Sequence, residues 1–208
     1  MAYRVRIFID FWNFQLSWNY YLTSQKQCDW PRLPAHLLHL TCEALVSAGI
    51  TEPLALEETR VYASYNPDSP ADVNLRNWLS NFLDRQPSFR VFSFQRKDKP
   101  AGFYCRACQT QFTTCPSCSQ ALIRSREKGV DAAIVTDLLS LAWEDAYDVA
   151  ILVSTDADMI PCVERIQEKG FKVVNAIWPG RGLDLAKASW ASFDLLNSAQ
   201  GLVRARAI

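Results

Sequence analysis

The unbroken apolar run Val149–Ser154 (VAILVS) is the feature that most constrains the fold of this chain. A strand without polar alternation is typical of a parallel sheet that helices cover on both faces. Strand-like and helix-like segments alternate along the rest of the chain, which implies right-handed βαβ crossovers. Strands are predicted at residues 3–10, 59–65, 89–94, 149–154 and 171–178, and helices at 34–48, 71–83, 129–142, 159–169 and 184–190. The sequence therefore predicts an α/β fold, a three-layer Rossmann-like sandwich with a mainly parallel sheet of about five strands.

Length and charge narrow the class of protein. The 208 residues fit one domain, or one domain with a small insertion. Lys and Arg total 22, as do Asp and Glu, so a uniformly basic nucleic-acid binder is not expected, although a local basic patch stays open. The first strand begins next to Met1, which leaves no room for a signal peptide, and the apolar runs are too short to span a membrane. We expect a cytoplasmic protein without a membrane partner.

Acidic residues follow the predicted strands. Asp10 ends the first strand, with Asn13 three residues later; Asp156 and Asp158 come directly after VAILVS; and Asp131 opens the preceding helix. In parallel sheets, ligands collect outside the carboxyl ends of the strands, so these side chains are predicted to converge. Clustered carboxylates repel one another unless a cation lies between them, and Mg²⁺ or Mn²⁺ prefers oxygen ligands. The pattern indicates a metal site suited to phosphodiester hydrolysis.

Each acid also has a plainer interpretation. Asp131 and Asp158 suit the first turn of a helix, where a carboxylate caps backbone N–H groups. Asp10 is harder to explain in this way, because a carboxylate in an apolar strand costs free energy unless it is paired or bound to metal. Solvated helix or loop charges are the expectation for Asp137, Glu144, Asp145 and Asp148. His36 and His39 lie on a predicted helix away from the acids and receive no catalytic role.

Four cysteines in the polar segment 97–120 have the spacing of metal ligands. Cys105-x-x-Cys108 and Cys115-x-x-Cys118 form two pairs that can wrap one Zn²⁺ tetrahedrally, as in a zinc ribbon. An iron–sulfur cluster or redox dithiols are the alternatives. A four-cysteine site has no open coordination position, so the zinc would be structural. The other three cysteines are assigned to core packing.

Positive charges flank these cysteines, and they can hold a phosphate backbone. Phe103 and Tyr104 can stack on unpaired bases. The alternative, a solvated charged loop around a metal site that only stabilises the fold, stays open. The nucleic-acid-binding candidates are Arg96, Lys97, Lys99, Arg106, Arg124, Arg126 and Lys128.

Three motifs resemble the NYN family, a branch of the PIN-like nucleases. They are Phe8–Asn13 (FIDFWN), Lys128–Asp131 (KGVD) and Ser154–Asp158 (STDAD). The resemblance covers the chain except for the cysteine insertion and the tail. It implies one PIN-like nuclease domain over 1–208, interrupted by a zinc-ribbon-like insertion at 97–120, with a sheet commonly ordered 3-2-1-4-5. Phe11-Trp12 and Thr155 depart from the family's usual small residues at these positions.

The resemblance also implies a function. It predicts Mg²⁺- or Mn²⁺-dependent cleavage of RNA, with Asp10, Asp131, Asp156 and Asp158 as metal-site acids and Asn13 in support. The expected partner is single-stranded RNA, and a homo-oligomer is left open. The alternatives are an RNA-binding adaptor with little turnover, or a nuclease or phosphatase acting on DNA or a nucleotide. The choice of RNA over DNA rests on the resemblance.

Overall fold

The structure, a computed structural model, describes residues 1–23, 26–126 and 129–204, with side chains described outside 97–100 and 123–126. Strands and helices alternate as the sequence predicts. In chain order the elements are β1 (Tyr3–Asp10), α1 (Phe11–Leu22), α2 (Leu33–Ser47), β2 (Leu54–Tyr65), α3 (Pro70–Asn81), β3 (Phe89–Gln95), β4 (Lys97–Pro100), β5 (Phe103–Tyr104), β6 (Gln111–Phe112), β7 (Ile123–Arg126), α4 (Val130–Trp143), β8 (Val149–Val153), α5 (Ile160–Glu168), β9 (Lys172–Ile177), α6 (Leu183–Ala188) and β10 (Ala191–Asp194).

The central sheet has six strands in the order β10-β9-β8-β1-β2-β3, and every neighbouring pair is parallel. The predicted α/β fold and mainly parallel sheet are confirmed. The strand beyond the predicted five is β10, which pairs with β9 at the edge of the sheet. It is short and only partly buried, so its sequence lacks the long apolar run that marks a central strand.

Helices cover both faces of the sheet. On one face, Val5, Ile7 and Ile9 of β1 share a core with α1, α2 and Leu79 of α3. On the other face, Phe8 belongs to a second core that includes residues of α4, α5 and α6. The alternation along β1 follows from the two-residue period of a strand, while β8 is buried throughout because it lies in the middle of the sheet.

Helix α1 was not predicted from the sequence. Its twelve residues include Trp, Tyr, Phe and Asn, which have modest helix propensity. The helix forms because Asp10 caps its first turn and because Phe14 and Trp18 are buried against the sheet. Its start, directly after β1, fixes the geometry of the candidate site.

The cysteine-containing segment leaves the core between β3 and α4. Strands β4 and β7 pair antiparallel, and β5 pairs with β6 beyond them. The division of the chain into a nuclease domain and a 97–120 insertion stays a prediction, and the paired stem continues to Arg126. In the described part of the chain, no helix combines the length and the apolar character that crossing a membrane requires.

Candidate metal and nucleic-acid site

The candidate site lies where the strand order reverses. From β1 the chain proceeds outward through β2 and β3, and it then crosses back to β8 on the other side of β1. In parallel sheets this reversal opens a crevice at the carboxyl ends of the two central strands. Asp10 ends β1, and Ser154, Thr155 and Asp156 follow β8.

Asp10 is a buried carboxylate held at a helix start. Its side chain is 8% exposed, and its Oδ1 accepts a hydrogen bond from the backbone N–H of Asn13 at 3.1 Å. The N–H groups and the dipole at the start of α1 stabilise a negative charge at this position. The start of α1 therefore fixes the Asp10 carboxyl group at the mouth of the crevice.

Asn13 joins α1 to the loop after β8. Its Nδ2 donates to Thr155 Oγ1 at 2.9 Å, and its Oδ1 accepts from the Thr155 backbone N–H at 3.2 Å. Thr155 therefore contributes both its hydroxyl and its backbone N–H to the contact. Asp10, Asn13, Thr155 and the adjoining Asp156 form one frame across β1 and β8.

The acidic loop has its own supports. The Asp156 N–H donates to Ser154 Oγ at 3.2 Å, and the Asp158 N–H donates to Asp156 Oδ1 at 3.0 Å. Beneath them, the Asn175 amide donates to the carbonyls of Leu152 and Ser154 at 2.9 and 3.0 Å. Asn175 is fully buried in β9, and an amide inside the apolar run VVNAI is the sequence signal that would have identified it.

Sequence reasoning also missed the turn at residues 179–182. Gly182 has φ +73°, and a Cβ there would lie 2.9 Å from the Thr155 Cα, so the turn packs tightly on the frame. Arg181, the residue before Gly182, is exposed, and its guanidinium lies 4.8 Å from the centroid of the Tyr20 ring. The Pro-Gly-Arg-Gly stretch between a strand and a helix was the available signal.

The remaining predicted acids lie at different distances from this frame. Asp158 is exposed and is attached to the frame through its backbone. Asp131 is exposed in the first turn of α4, and that helix starts beside Phe94 of β3, two strands from β1. Asp137 is not a solvated charge as expected, because its Oδ2 accepts hydrogen bonds from Arg60 and Tyr62, each at 2.6 Å.

The candidate site offers carboxylate oxygens, which are the ligands that a hard cation prefers. Among residues 1–23, 26–126 and 129–204, no three His, Cys, Asp or Glu side chains form a group that could hold a metal ion. Mg²⁺, however, usually binds through one or two carboxylates and completes its coordination with water and substrate phosphate. Asp10 and Asp156, both oxygen donors on one frame, suit that mode of binding.

The predicted phosphate-binding residues are only partly described. Arg96 forms an ion pair with Asp72, and its guanidinium lies over the Trp12 ring at 5.0 Å. Burial opposes the ionisation of Asp72, but the Asn66 N–H and Arg96 outweigh it and hold the pKa of the carboxyl below its usual value. Arg106 is exposed beside the cysteines. Lys128 lies outside the described residues, as do the side chains of Lys97, Lys99, Arg124 and Arg126.

The two cysteine pairs lie on turns of the same form. The Cys105 N–H donates to the Thr110 carbonyl at 2.9 Å, and the Cys115 N–H donates to the Gln120 carbonyl at 2.8 Å. The residue after the second cysteine, Gln109 in one turn and Ser119 in the other, has φ +56° in both. Thr110 hydrogen bonds lower the pKa of Cys108, and the Ser117 and Cys118 N–H groups lower that of Cys115. In each turn, one cysteine thus has its pKa shifted toward the thiolate, which is the metal-binding form.

Comparison with known proteins agrees with the fold. A crystal structure of a protein of unknown function from Vibrio parahaemolyticus is similar to this chain, with a TM-score of 0.54, 17% sequence identity and 93% of each chain covered. At that identity, the likeness shows the fold alone. No curated protein matches the chain. A family profile described as NYN domain matches residues 4–192, which include the candidate acids. The chain therefore belongs to the NYN domain family.

Proposed function

We propose that the protein is a metal-dependent endoribonuclease that hydrolyses RNA at the carboxyl edge of β1 and β8. Membership of the NYN domain family suggests a PIN-like nuclease. The observation that carries the proposal is the frame in which Asn13 ties the start of α1 to the acidic loop. The frame places two carboxylates at the reversal of strand order, the position at which this class of sheet binds ligands.

Each residue of the site has a distinct role in this proposal. Asp10 and Asp156 would hold Mg²⁺ or Mn²⁺, with Asp10 fixed in place by its hydrogen bond at the start of α1. Asn13 keeps the two carboxylates at a fixed separation through Thr155. Asp131 and Asp158 are exposed acids that complete the metal site through bound water or on substrate binding. When bound, the cation polarises the scissile phosphate and activates water.

Structural Zn²⁺ at the four cysteines is the second part of the proposal. The support is the matching backbone of the two turns and the lowered pKa values of Cys108 and Cys115. A single ion bound by both pairs would close the two turns on each other and would leave no position for substrate. The seven free cysteines suit a reducing compartment, so we infer a cytoplasmic location.

Single-stranded RNA is the proposed substrate. Arg181 is an exposed positive charge in the turn that packs on Thr155 through Gly182, and it would contact a phosphate of the bound RNA strand. The basic residues of β4 and β7 in the cysteine segment would extend the contact along the RNA strand. Exposed Phe103 and Tyr104 are available to stack on unpaired bases.

The test is cleavage of labelled single-stranded RNA and DNA with Mg²⁺ or Mn²⁺. Asp10→Asn and Asp156→Asn should each reduce cleavage to background. Asp145→Asn is the matched control, because Asp145 is an exposed carboxylate that pairs with Arg4 near the opposite end of β1. Full activity in both site variants would overturn the assignment of the site. RNA binding without cutting by the wild type would support the adaptor instead, and cutting of DNA alone would change the substrate.

A further inference from the structure

A cleft of about 500 Å³ opens beside the first turn of α1. Its lining comes from α1, from the segment around residues 26–30, from α3 and from Arg204. The volume falls within the range of sites that bind small organic molecules. The cleft shares α1 with the candidate metal site, because Phe11 and Trp12 of its lining follow Asp10 directly.

Aromatic rings form the floor and walls of the cleft. Phe11 and Trp30 are buried and stack on each other, with centroids 5.3 Å apart and an interplanar angle of 19°. Trp78 meets Trp30 edge-on at 6.1 Å and is half-buried. Trp12 is also half-buried and is fixed in place, because its Nε1 donates to the Ser64 carbonyl at 2.7 Å. Arg96 lies over one face of the Trp12 ring and Phe82 stacks on the Trp78 ring, so a flat aromatic ligand would contact the parts of these half-buried rings that remain exposed.

The rim of the cleft is polar and carries positive charge. Gln15 and Asn19 lie on the same flank of α1 as Trp12, and the Gln15 amide donates to Asn19 Oδ1 at 2.9 Å. Lys26 and Arg204 are exposed at the edge. Among the described residues that line the cleft are these two cations and no carboxylate. Amides can pair with the edge of a base, and cations can pair with its phosphate.

We propose that this cleft binds one unpaired nucleobase of the RNA, next to the bond that is cut. The inference rests on the proposed nuclease function and adds a position-specific base contact to it. The base stacks against Trp12 and Trp78, and its edge meets Asn19. Two residues of chain span at most about 7 Å, so Trp12 holds the base close to Asp10. The site therefore selects single-stranded substrate, because a paired base cannot enter the cleft.

The test measures binding and cleavage separately. Binding is measured by fluorescence anisotropy on the Asp10→Asn protein, which does not cut, with a fluorescein-labelled 12-nucleotide oligouridylate. A series of the same oligonucleotide carries one abasic site at each position in turn. An abasic site at one position should weaken binding about tenfold, the usual effect of losing one stacked base. Trp78→Ala should remove that position-specific penalty. Trp143→Ala should keep it, because Trp143 is an exposed tryptophan of α4 outside the cleft.

Asn19→Ala guards against a folding defect in the Trp78 variant. It should reduce the preference among the four bases at that position and leave thermal unfolding unchanged, because it removes only a side chain at the rim. A penalty spread evenly over all positions, or one that survives in both cleft variants, overturns the cleft proposal even if the wild type cuts RNA. If Trp78→Ala removes a position-specific penalty but the wild type does not cut RNA, the cleft proposal stands and the nuclease proposal is overturned.

Discussion

Asn13 and Thr155 hydrogen-bond in both directions across the two central strands, although 142 residues separate them in the chain. The Asn13 side-chain amide donates to the Thr155 hydroxyl at 2.9 Å, and the Thr155 backbone N–H donates back to Asn13 Oδ1 at 3.2 Å. The relative position of Asp10 and Asp156 depends on this exchange, because each carboxylate is close in sequence to one of the two partners.

Asn13→Ala should therefore reduce cleavage much more than stability. Loss of these hydrogen bonds lowers the free energy of unfolding by about 1–2 kcal/mol. Cleavage should fall about 10–100-fold, the usual cost of losing a residue that orients metal ligands. Steady-state cleavage and urea unfolding measure the two effects. Thr155→Ser keeps the hydroxyl and the backbone N–H, so it should retain most of the activity. Wild-type cleavage by Asn13→Ala would show that the frame does not position the acids.

Gly182→Ala should disturb the site through Thr155. The new Cβ would lie 2.9 Å from the Thr155 Cα, so either the loop or the turn must move. Gly180→Ala is the matched control, because Gly180 also has positive φ, but nothing lies within 4 Å of a Cβ there. Both variants should lose about 1–3 kcal/mol of stability to backbone strain. Only Gly182→Ala should also lose cleavage, and equal losses of cleavage in the two variants would contradict this expectation.

Zinc content tests the cysteine turns directly. Purified protein should contain about one Zn²⁺ per chain by atomic absorption, and Cys115→Ser should contain little or none. Cys42→Ser should keep the metal, because Cys42, which the sequence wrongly assigned to the core, is an exposed cysteine of α2, outside the cysteine segment. Iron with visible absorption would indicate a cluster in place of zinc. Metal-free wild type together with an ordered segment would indicate dithiols.

The ion pair between Asp72 and Arg96 makes stability depend on pH. The pKa of Asp72 is lowered in the folded state. Above the unfolded pKa of about 4, Asp72 is ionised in both states, so the ion pair makes its full contribution to the free energy of unfolding. Below about pH 4 the unfolded chain binds the proton first, and the contribution is lost as the pH falls through the lower folded pKa.

Asp72→Asn should therefore unfold more easily than the wild type at pH 7, and the difference should shrink below about pH 4. Urea unfolding at pH 7, 5, 4 and 3 measures this. Asp68→Asn, which changes an exposed carboxylate just before the same helix, should follow the wild type throughout. A difference between Asp72→Asn and the wild type that persists unchanged to pH 3 would show that the ion pair does not stabilise the fold.

The sequence predicted most of the sheet because its two central strands carry strong local patterns. The period of β1 and the run VAILVS are local signals, and both strands are found where they were expected. Helix α1 and β10 were missed because neither has a strong local pattern. The first depends on a cap and on buried aromatic rings, and the second depends on pairing with β9.

The candidate site was predictable to the extent that it follows strand ends. Asp10 and Asp156 lie at the carboxyl edge, as the rule for parallel sheets requires. Asn175 and Gly182 could not be found in this way, because their roles consist of contacts with residues far away in sequence. The ion pair of Arg96 with Asp72 likewise depends on how α3 packs beside β3.

The antiparallel pairing of β4 with β7 has a consequence for how the cysteine segment is attached. Lys97 and Arg126 are opposite each other in register, so the chain leaves the core and returns to it at neighbouring points. The segment 97–126 therefore affects the connection between β3 and α4 no more than a short loop would. The cysteine segment is thus attached to the core through the paired strands β4 and β7 alone. Replacing residues 101–122 by a tight turn that joins residues 100 and 123 should leave the central sheet intact. We therefore expect that the cysteine segment can be shortened or exchanged without rebuilding the central sheet.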